Sequence, residues 1–431
     1  MHFSPSDLDL IVSLRGLAIL CGLGIAIWLA SPTNLRLVEA ILLTRPRHLR
    51  RTLWWYQHVG RKFDMLFELS QHSAASRRRN LRYLLQYIIP YFGPSPPEFA
   101  KLKETIYKPI IRTPVELIWV LDGKRPMSVR WGMEVLDEHY WPAAKHRTVK
   151  SARRETTTRL GLTSVTKRCW TTTGAAHDTG LNKIQWFPGG EFGADGRITA
   201  KLYYYPARAA ATGTDPFRVV TDCVSRLGLM DQWTPIVDFF SRNPHYNGTP
   251  EFIGVEGVPP ASNRLKIYTR IGNNFSSLDE VVRVTTLGGT LNHPNVAETV
   301  QAFRRLWRLL YPNYKSEDNV PSIRPGERGM CIYFELAIGR KEAIPKIYIP
   351  TYRFAGTDQH VARAITAYHQ LYSQGGDIEK NYEAHFNRLF VGYNLNQHMP
   401  FVHTYIGIAT KKGTTQMTIY YALDAFGVAQ S

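Results

Sequence analysis

AKLYYYP at 200–206, NRLKIYTR at 263–270 and PKIYIPTY at 345–352 each write Lys-x-Tyr inside a strand-like run. Side chains two apart on a strand share one face, so each run sends an ammonium and a phenol the same way. The middle run adds Arg264 to that face. HTYIGIATKK at 403–412 carries Tyr405, and Gln416, Thr418 and Tyr420 follow at i, i+2 and i+4. Ordinary strands turn Val, Ile and Leu to their inner side. Strands that line it with Lys, Arg and Tyr predict a cavity holding an anion beside a group that aromatic rings stabilise.

Lys201, Lys266 and Lys346 are separated by 65 and 80 residues, and each interval holds a further strand and at least one helix. Helical periodicity is read over 53–91, 216–231, 296–310 and 358–373, with Asn292 and His293 before Pro294 as a capping arrangement. VELIWVL and MSVRWGMEVL, joined by DGKRP, read as strands. Antiparallel strand pairs with helices between them and a polar inner face predict an α+β fold. Its expected centre is a closed antiparallel barrel ringed by helices, with no exposed sheet edge.

The chain has 431 residues, 53 Lys+Arg against 35 Asp+Glu, and a formal net charge of +18. That balance suits a nucleic acid, an anionic membrane surface or a phosphorylated small substrate. A basic nucleic-acid-binding protein is therefore one alternative and a non-catalytic lipid-binding barrel another. The cations are spread along the chain, apart from RPRHLRR at 45–51 and SRRRN at 76–80, which disfavours the first. Four cysteines far apart, without CxxC or Cys/His ligand spacing, argue against a zinc site and a disulfide framework and for a reducing compartment. Residues 16–30 (GLAILCGLGIAIWLA) form an apolar run shorter than the ~20 residues of a spanning helix. Extension back to Leu10 reaches that length but takes in Arg15. Its readings are a membrane-associated helix over 10–30, a signal peptide, or an extra helix. The division expected is an extension at 1–50 and a barrel at 51–431, the barrel cytoplasmic and tethered if the helix is a membrane anchor.

No aspartate-rich run, P-loop or GxGxxG is present, so the anion must be met by side-chain cations. The candidates on strand-like segments are Arg130, Lys201, Arg264, Lys266, Lys346 and Lys411. Tyr203, Tyr205, Tyr268, Tyr348, Tyr405 and Tyr420 are the aromatic walls, suited to a carbocation. Glu116 stands in the apolar run VELIWVL, where a carboxylate is costly unless it serves a partner. Glu134 and Asp137 read as surface residues.

In order along the chain, LWWYQHVG, FGPSPP, TPVELIW, VRWGMEVL, AKLYYYP, NRLKIYTR, PKIYIPTY, HTYIGIATKK and TIYYA resemble the fungal indole prenyltransferases of the dimethylallyltryptophan synthase type, over roughly 52–425. The resemblance implies the ten-stranded ABBA prenyltransferase barrel of αββα repeats, and a place in alkaloid secondary metabolism. It implies transfer of a dimethylallyl group from its diphosphate to an indole or other aromatic acceptor, with no cofactor and no metal; it also admits a homodimer. On it, Glu116 becomes the catalytic group at the indole N–H, and Arg130, Lys201, Arg264, Lys266, Lys346 and Lys411 the diphosphate site. Tyr203, Tyr268, Tyr348, Tyr405 and Tyr420 become the carbocation shield, with Tyr205 and Gln416 in the aromatic-substrate pocket.

Three departures from the family pattern are visible. Lys346 stands where tryptophan-using members often have Gln. Gln416 stands where a shield tyrosine is frequent, which predicts a thinner shield. WFPGGEFGADGR at 186–197 has no counterpart of the lysine that rearomatises the ring in some members. In addition, no arginine is evident near Thr249–Glu251 to hold an amino-acid carboxylate, which favours an acceptor other than free tryptophan.

Overall fold

In IPKIYI at 344–349 every residue is buried, although Lys346 and Tyr348 alternate with Ile347 and Ile349. Both faces of such a strand are covered, one by helices and one by the strands opposite. The structure is a computed structural model that describes residues 46–92, 115–123, 127–133, 186–206, 215–258, 263–272, 274–323, 329–372, 375–397, 402–411 and 413–423. Ten described strands, all paired antiparallel, close into a barrel. They are β1 (Val115–Leu121), β2 (Ser128–Met133), β3 (Trp186–Phe192), β4 (Ile198–Tyr204), β5 (Thr249–Glu256), β6 (Arg264–Arg270), β7 (Cys331–Ala337), β8 (Ile344–Ile349), β9 (His403–Lys411) and β10 (Thr414–Ala422). The order around the barrel follows the chain, and β10 closes on β1 through the register Glu116↔Ala422.

The chain divides into two compact units, 1–58 and 59–431. The first is described from residue 46, where α1 (Pro46–Trp55) lies; the apolar run at 10–30 falls outside the described residues. The second holds the barrel with helices α2 (Arg61–Leu69), α3 (Ala74–Tyr83), α4 (Pro216–Arg226), α5 (Met230–Arg242), α6 (Leu278–Thr285), α7 (Pro294–Leu310), α8 (Thr351–Phe354), α9 (Asp358–Tyr372), α10 (Asp377–Lys380) and α11 (Tyr382–Leu389). Among the described residues no helix is long and apolar enough to cross a membrane.

Local chemistry explains the helix ends. Pro294 starts α7, and the ring of His293 accepts from the Asn295 N–H at 3.1 Å. The periodicity over 216–231 is broken into α4 and α5 because Gly228 takes a positive φ of 68°. The apolar core lies between barrel and helices. Ile347, Ile406 and Ile408 meet it from the sheet, and Phe303, Leu306 and Trp307 from α7, which packs on β8 and β9. Each such side chain contributes roughly 1.5–3 kcal/mol by leaving water. This outer core leaves the barrel interior free for polar groups.

Candidate active site

Strand direction gives the interior its polarity. In an antiparallel barrel the even-numbered strands all run one way, so Lys201→Tyr203, Lys266→Tyr268 and Lys346→Tyr348 are three parallel steps. Each step covers about 6.6 Å along the strand. The cations therefore gather at one end and the phenols toward the other. The odd strands run the opposite way: β9 carries Tyr405 near its start and ends with Lys411, while β1 carries Glu116 near its start. Glu116 thus belongs to the aromatic end.

The odd strands also bring three carboxylates that the sequence reading missed. Glu191, Glu256 and Glu335 lie in register with Arg130, with Lys201, and with Lys266. Lys201 Nζ reaches Glu191 at 2.6 Å and Glu256 at 3.5 Å, and Lys266 Nζ reaches Glu256 at 2.6 Å. Arg264 contacts Glu256 at 2.7 Å and Glu335 at 3.5 Å, and Lys411 contacts Glu335 at 3.5 Å. Arg130 Nε lies 2.9 Å from Glu191, and Arg340, from the turn after β7, lies 3.0 Å from Glu335. Five of the six predicted cations contact the three glutamates and Lys346 does not, a formal surplus of three positive charges among these strand residues.

The electrostatics follow from burial. Burial opposes the charge of Glu256, yet Lys266, Lys201 and Arg264 outweigh it and hold the carboxyl far below its usual range. Glu335 is likewise held down to about 2, its burial overcome by Lys411 and Arg264. Burial, with Arg130 adding to it, lowers Lys201 to about 8, and burial lowers Lys411 to about 8. Among the described residues Lys346 has no carboxylate partner; its Nζ donates to Thr418 Oγ1 at 2.5 Å. Burial and then the neighbouring Arg130, Lys411, Lys266 and Lys201 push it well below an ordinary lysine. An arriving polyanion reverses that imbalance.

Next to the charges, Tyr268, Tyr333 and Tyr348 pack together with Tyr203, Phe252, Tyr405 and Tyr420 around them. Ring centroids lie 5.1 Å apart for Tyr268–Tyr333, 5.7 Å for Tyr268–Tyr348 and 5.7 Å for Tyr348–Tyr420. Burial raises the Tyr203, Tyr268, Tyr333, Tyr348 and Tyr420 hydroxyls, so the rings stay neutral and present π faces. Glycines make the seats. A Cβ built on Gly254 would stand 2.9 Å from the Tyr203 ring, and one on Gly407 2.5 Å from Cε of Lys346. Tyr333, Phe187 and Phe252 were not expected here. Tyr333 lies directly opposite Tyr268 and Lys346, a signal visible only once strands are paired.

At the aromatic end, Glu116 is flanked in register by Gly132 and Ala422, and a Cβ built on Gly132 would stand 3.7 Å from the Phe187 ring. Thr404 Oγ1 donates to Glu116 Oε1 at 3.0 Å. Tyr205 packs near Phe187 and Phe252, centroids 5.6 and 5.9 Å away. Two expectations need correction. Gln416 lies near the start of β10, at the cation end, and donates to Asp122 at 2.5 Å, so it does not line the space beside Tyr205. An arginine does stand near Glu251: Arg270, across from Thr249, binds Glu251 at 2.6 Å and Tyr405 Oη at 3.2 Å. Nineteen residues separate that pair in the chain, and only the β5–β6 register joins them. Glu134 and Asp137 lie outside the described residues.

The sequence profile of the tryptophan dimethylallyltransferase family matches residues 52–385. A 7-dimethylallyltryptophan synthase of Aspergillus fumigatus is 23% identical over 420 residues, covering 89% of this chain and 88% of its own. A 4-O-dimethylallyl-L-tyrosine synthase of Claviceps purpurea is 24% identical over 395 residues, covering 85% and 87%. The crystal structure of NotF in complex with brevianamide F and DMSPP superposes with a TM-score of 0.70 at 18% identity, covering 87% of this chain and 95% of that one.

Proposed function

Because the chain belongs to the tryptophan dimethylallyltransferase family and is an aromatic prenyltransferase, we propose that its barrel prenylates an indole without a metal ion. The observation that carries this reading is the axial segregation of the interior. Six cations occupy one end, neutral tyrosines the next layer, and Glu116 the far end.

Dimethylallyl diphosphate would lie along that axis with its phosphates on Arg130, Lys201, Arg264, Lys266, Lys346 and Lys411. The C–O bond breaks with its electron pair leaving on the diphosphate, and cationic side chains stabilise that charge as it develops. The allyl cation then sits between tyrosine faces that stabilise it and exclude water. An indole carbon supplies the pair for the new C–C bond, and Glu116 accepts the hydrogen bond of the ring N–H. The ring carbon afterwards loses its proton. The names of the relatives cover both tryptophan and tyrosine as acceptors, so indole here rests on the Glu116 placement rather than on likeness.

Among the described residues no group of His, Cys, Asp and Glu is arranged to hold a metal, and the three carboxylates at the cation end, Glu191, Glu256 and Glu335, are engaged by cations. Turnover of dimethylallyl diphosphate with an indole panel, read by mass spectrometry in excess EDTA, should give a product heavier by one dimethylallyl group. Activity lost in EDTA and restored only by Mg²⁺ would overturn the metal-free reading.

The donor site has its own test. Lys201→Ala and Arg264→Ala should each raise the donor KM by about ten- to a hundredfold, one charged hydrogen bond apiece. The acceptor KM should move much less. Unchanged donor KM in both variants would move the diphosphate elsewhere.

A further inference from the structure

β9 and β10 are out of step at one place. Tyr405 pairs with Tyr420 and His403 with Tyr421, so Thr404 is an extra residue on β9 with no partner on β10. In a regular strand Thr404 and Tyr405 would face opposite sides. Here both reach the interior, Thr404 bonding Glu116 and Tyr405 bonding Arg270. A bulge of this kind re-aims a side chain, and bulges concentrate beside active sites.

The bulge is pinned from outside the barrel by a fully buried network. Asp358 Oδ1 accepts from the His403 backbone N–H at 2.7 Å and sits 2.8 Å from its Nδ1, while Oδ2 accepts from the Val402 N–H at 2.7 Å. His403 Nε2 lies 2.8 Å from Tyr382 Oη, which lies 2.8 Å from Tyr421 Oη. Thr351 Oγ1 donates to the His403 carbonyl at 2.9 Å. Asp358, Tyr382, His403, Thr404 and Tyr421 are at most 1% exposed. The backbone on both sides of Thr404 is therefore fixed, and its hydroxyl is held facing Glu116 across the sheet.

We propose that Thr404 is the positioning residue of the reaction, holding the Glu116 carboxylate ionised and oriented toward the acceptor through the β9 bulge. This rests on the reading of Glu116 as the group that meets the indole N–H. The hydroxyl occupies one carboxylate oxygen and stabilises the charged form. Among the described residues, the titratable groups on the strands around Glu116 are Tyr420 from β10, which is coupled to it, Tyr405 from β9 and, one pleat away on β2, Arg130; beyond Tyr405 stands the ion pair of Arg270 with Glu251. Burial raises both phenols, and Glu191 outweighs the burial of Arg130 and keeps it charged, so none of the three titrates in the assay range.

The test is Thr404→Val, which keeps the shape and removes the hydroxyl, with Thr404→Ser as the control that restores it. With donor saturating, the acid limb of kcat/KM for the acceptor should move up by about one pH unit in Thr404→Val, and kcat should fall about tenfold. Thr404→Ser should lie near wild type, and in a Glu116→Gln background Thr404→Val should cost no more than about twofold, its coupling gone. An unmoved acid limb, or an equal loss in both backgrounds, would overturn the proposal and leave Thr404 a packing residue. Melting temperatures would separate misfolding from either outcome. If Glu116→Gln alone stayed within about threefold of wild type, the Glu116 reading itself would fall, and the proposal with it.

Discussion

Glu116→Gln should lower kcat by about 10²–10⁴-fold with little change in the KM of the prenyl diphosphate. The carboxylate stands at the aromatic end, away from the ion pairs that hold the phosphates, so the two measured constants report on different ends of one cavity. Its charge strengthens the pull on the indole N–H as electron density leaves the ring, which is a gain realised in the transition state rather than on binding. Glutamine keeps the size and the acceptor oxygen but loses that charge. Glutamine keeps an acceptor oxygen for the Thr404 hydroxyl, so the fold should persist. Glu116→Asp should fall between the two, since the shorter side chain keeps the charge but loses reach. A Glu116→Gln enzyme within about threefold of wild type would assign ring activation to another group.

The second large effect is on stability. Glu256 gathers Lys266, Arg264 and Lys201 within 3.5 Å while almost wholly buried. Glu256→Gln should destabilise the free protein by about 3–5 kcal/mol, because it leaves buried cations without their counter-charge. For a unit of this size that is a fall in Tm of roughly 4–6 °C. Inorganic diphosphate should recover most of it and should bind the variant more tightly than wild type, since a resident competitor has been removed. Differential scanning calorimetry with and without diphosphate checks both statements. A Tm unchanged in the free variant would mean that the three cations are satisfied without Glu256.

What the chain discloses on inspection is the half of the site that shares a strand. Lys201 with Tyr203, Lys266 with Tyr268 and Lys346 with Tyr348 are two residues apart, so their common direction follows from backbone geometry alone. Glu116 was legible because a carboxylate is out of place among Val, Leu, Ile and Trp. Glu191, Glu256 and Glu335 are equally buried against charge, but each is a single glutamate in a run whose inward face cannot be assigned without its partner strand. Arg270 illustrates the same limit, since its meaning depends on Glu251 across the sheet. Gln416 was misassigned because its distance along β10 from Tyr420 converts into depth along the barrel axis. The bulge at Thr404 has no signature in HTYIGIATKK, because it is a property of two strands that disagree by one residue.

The closure of the barrel carries a rule of parity. A ring made only of antiparallel pairs needs an even number of members, for an odd one would force two neighbours to run the same way. Ten satisfies it. Lineages that lengthen or shorten such a ring can do so only by whole hairpins. A lone strand gained or lost between β4 and β8 would turn part of the Lys-x-Tyr series upside down, setting ammonium beside phenol at the same height. The donor's orientation is thus guarded by a counting constraint as well as by contacts.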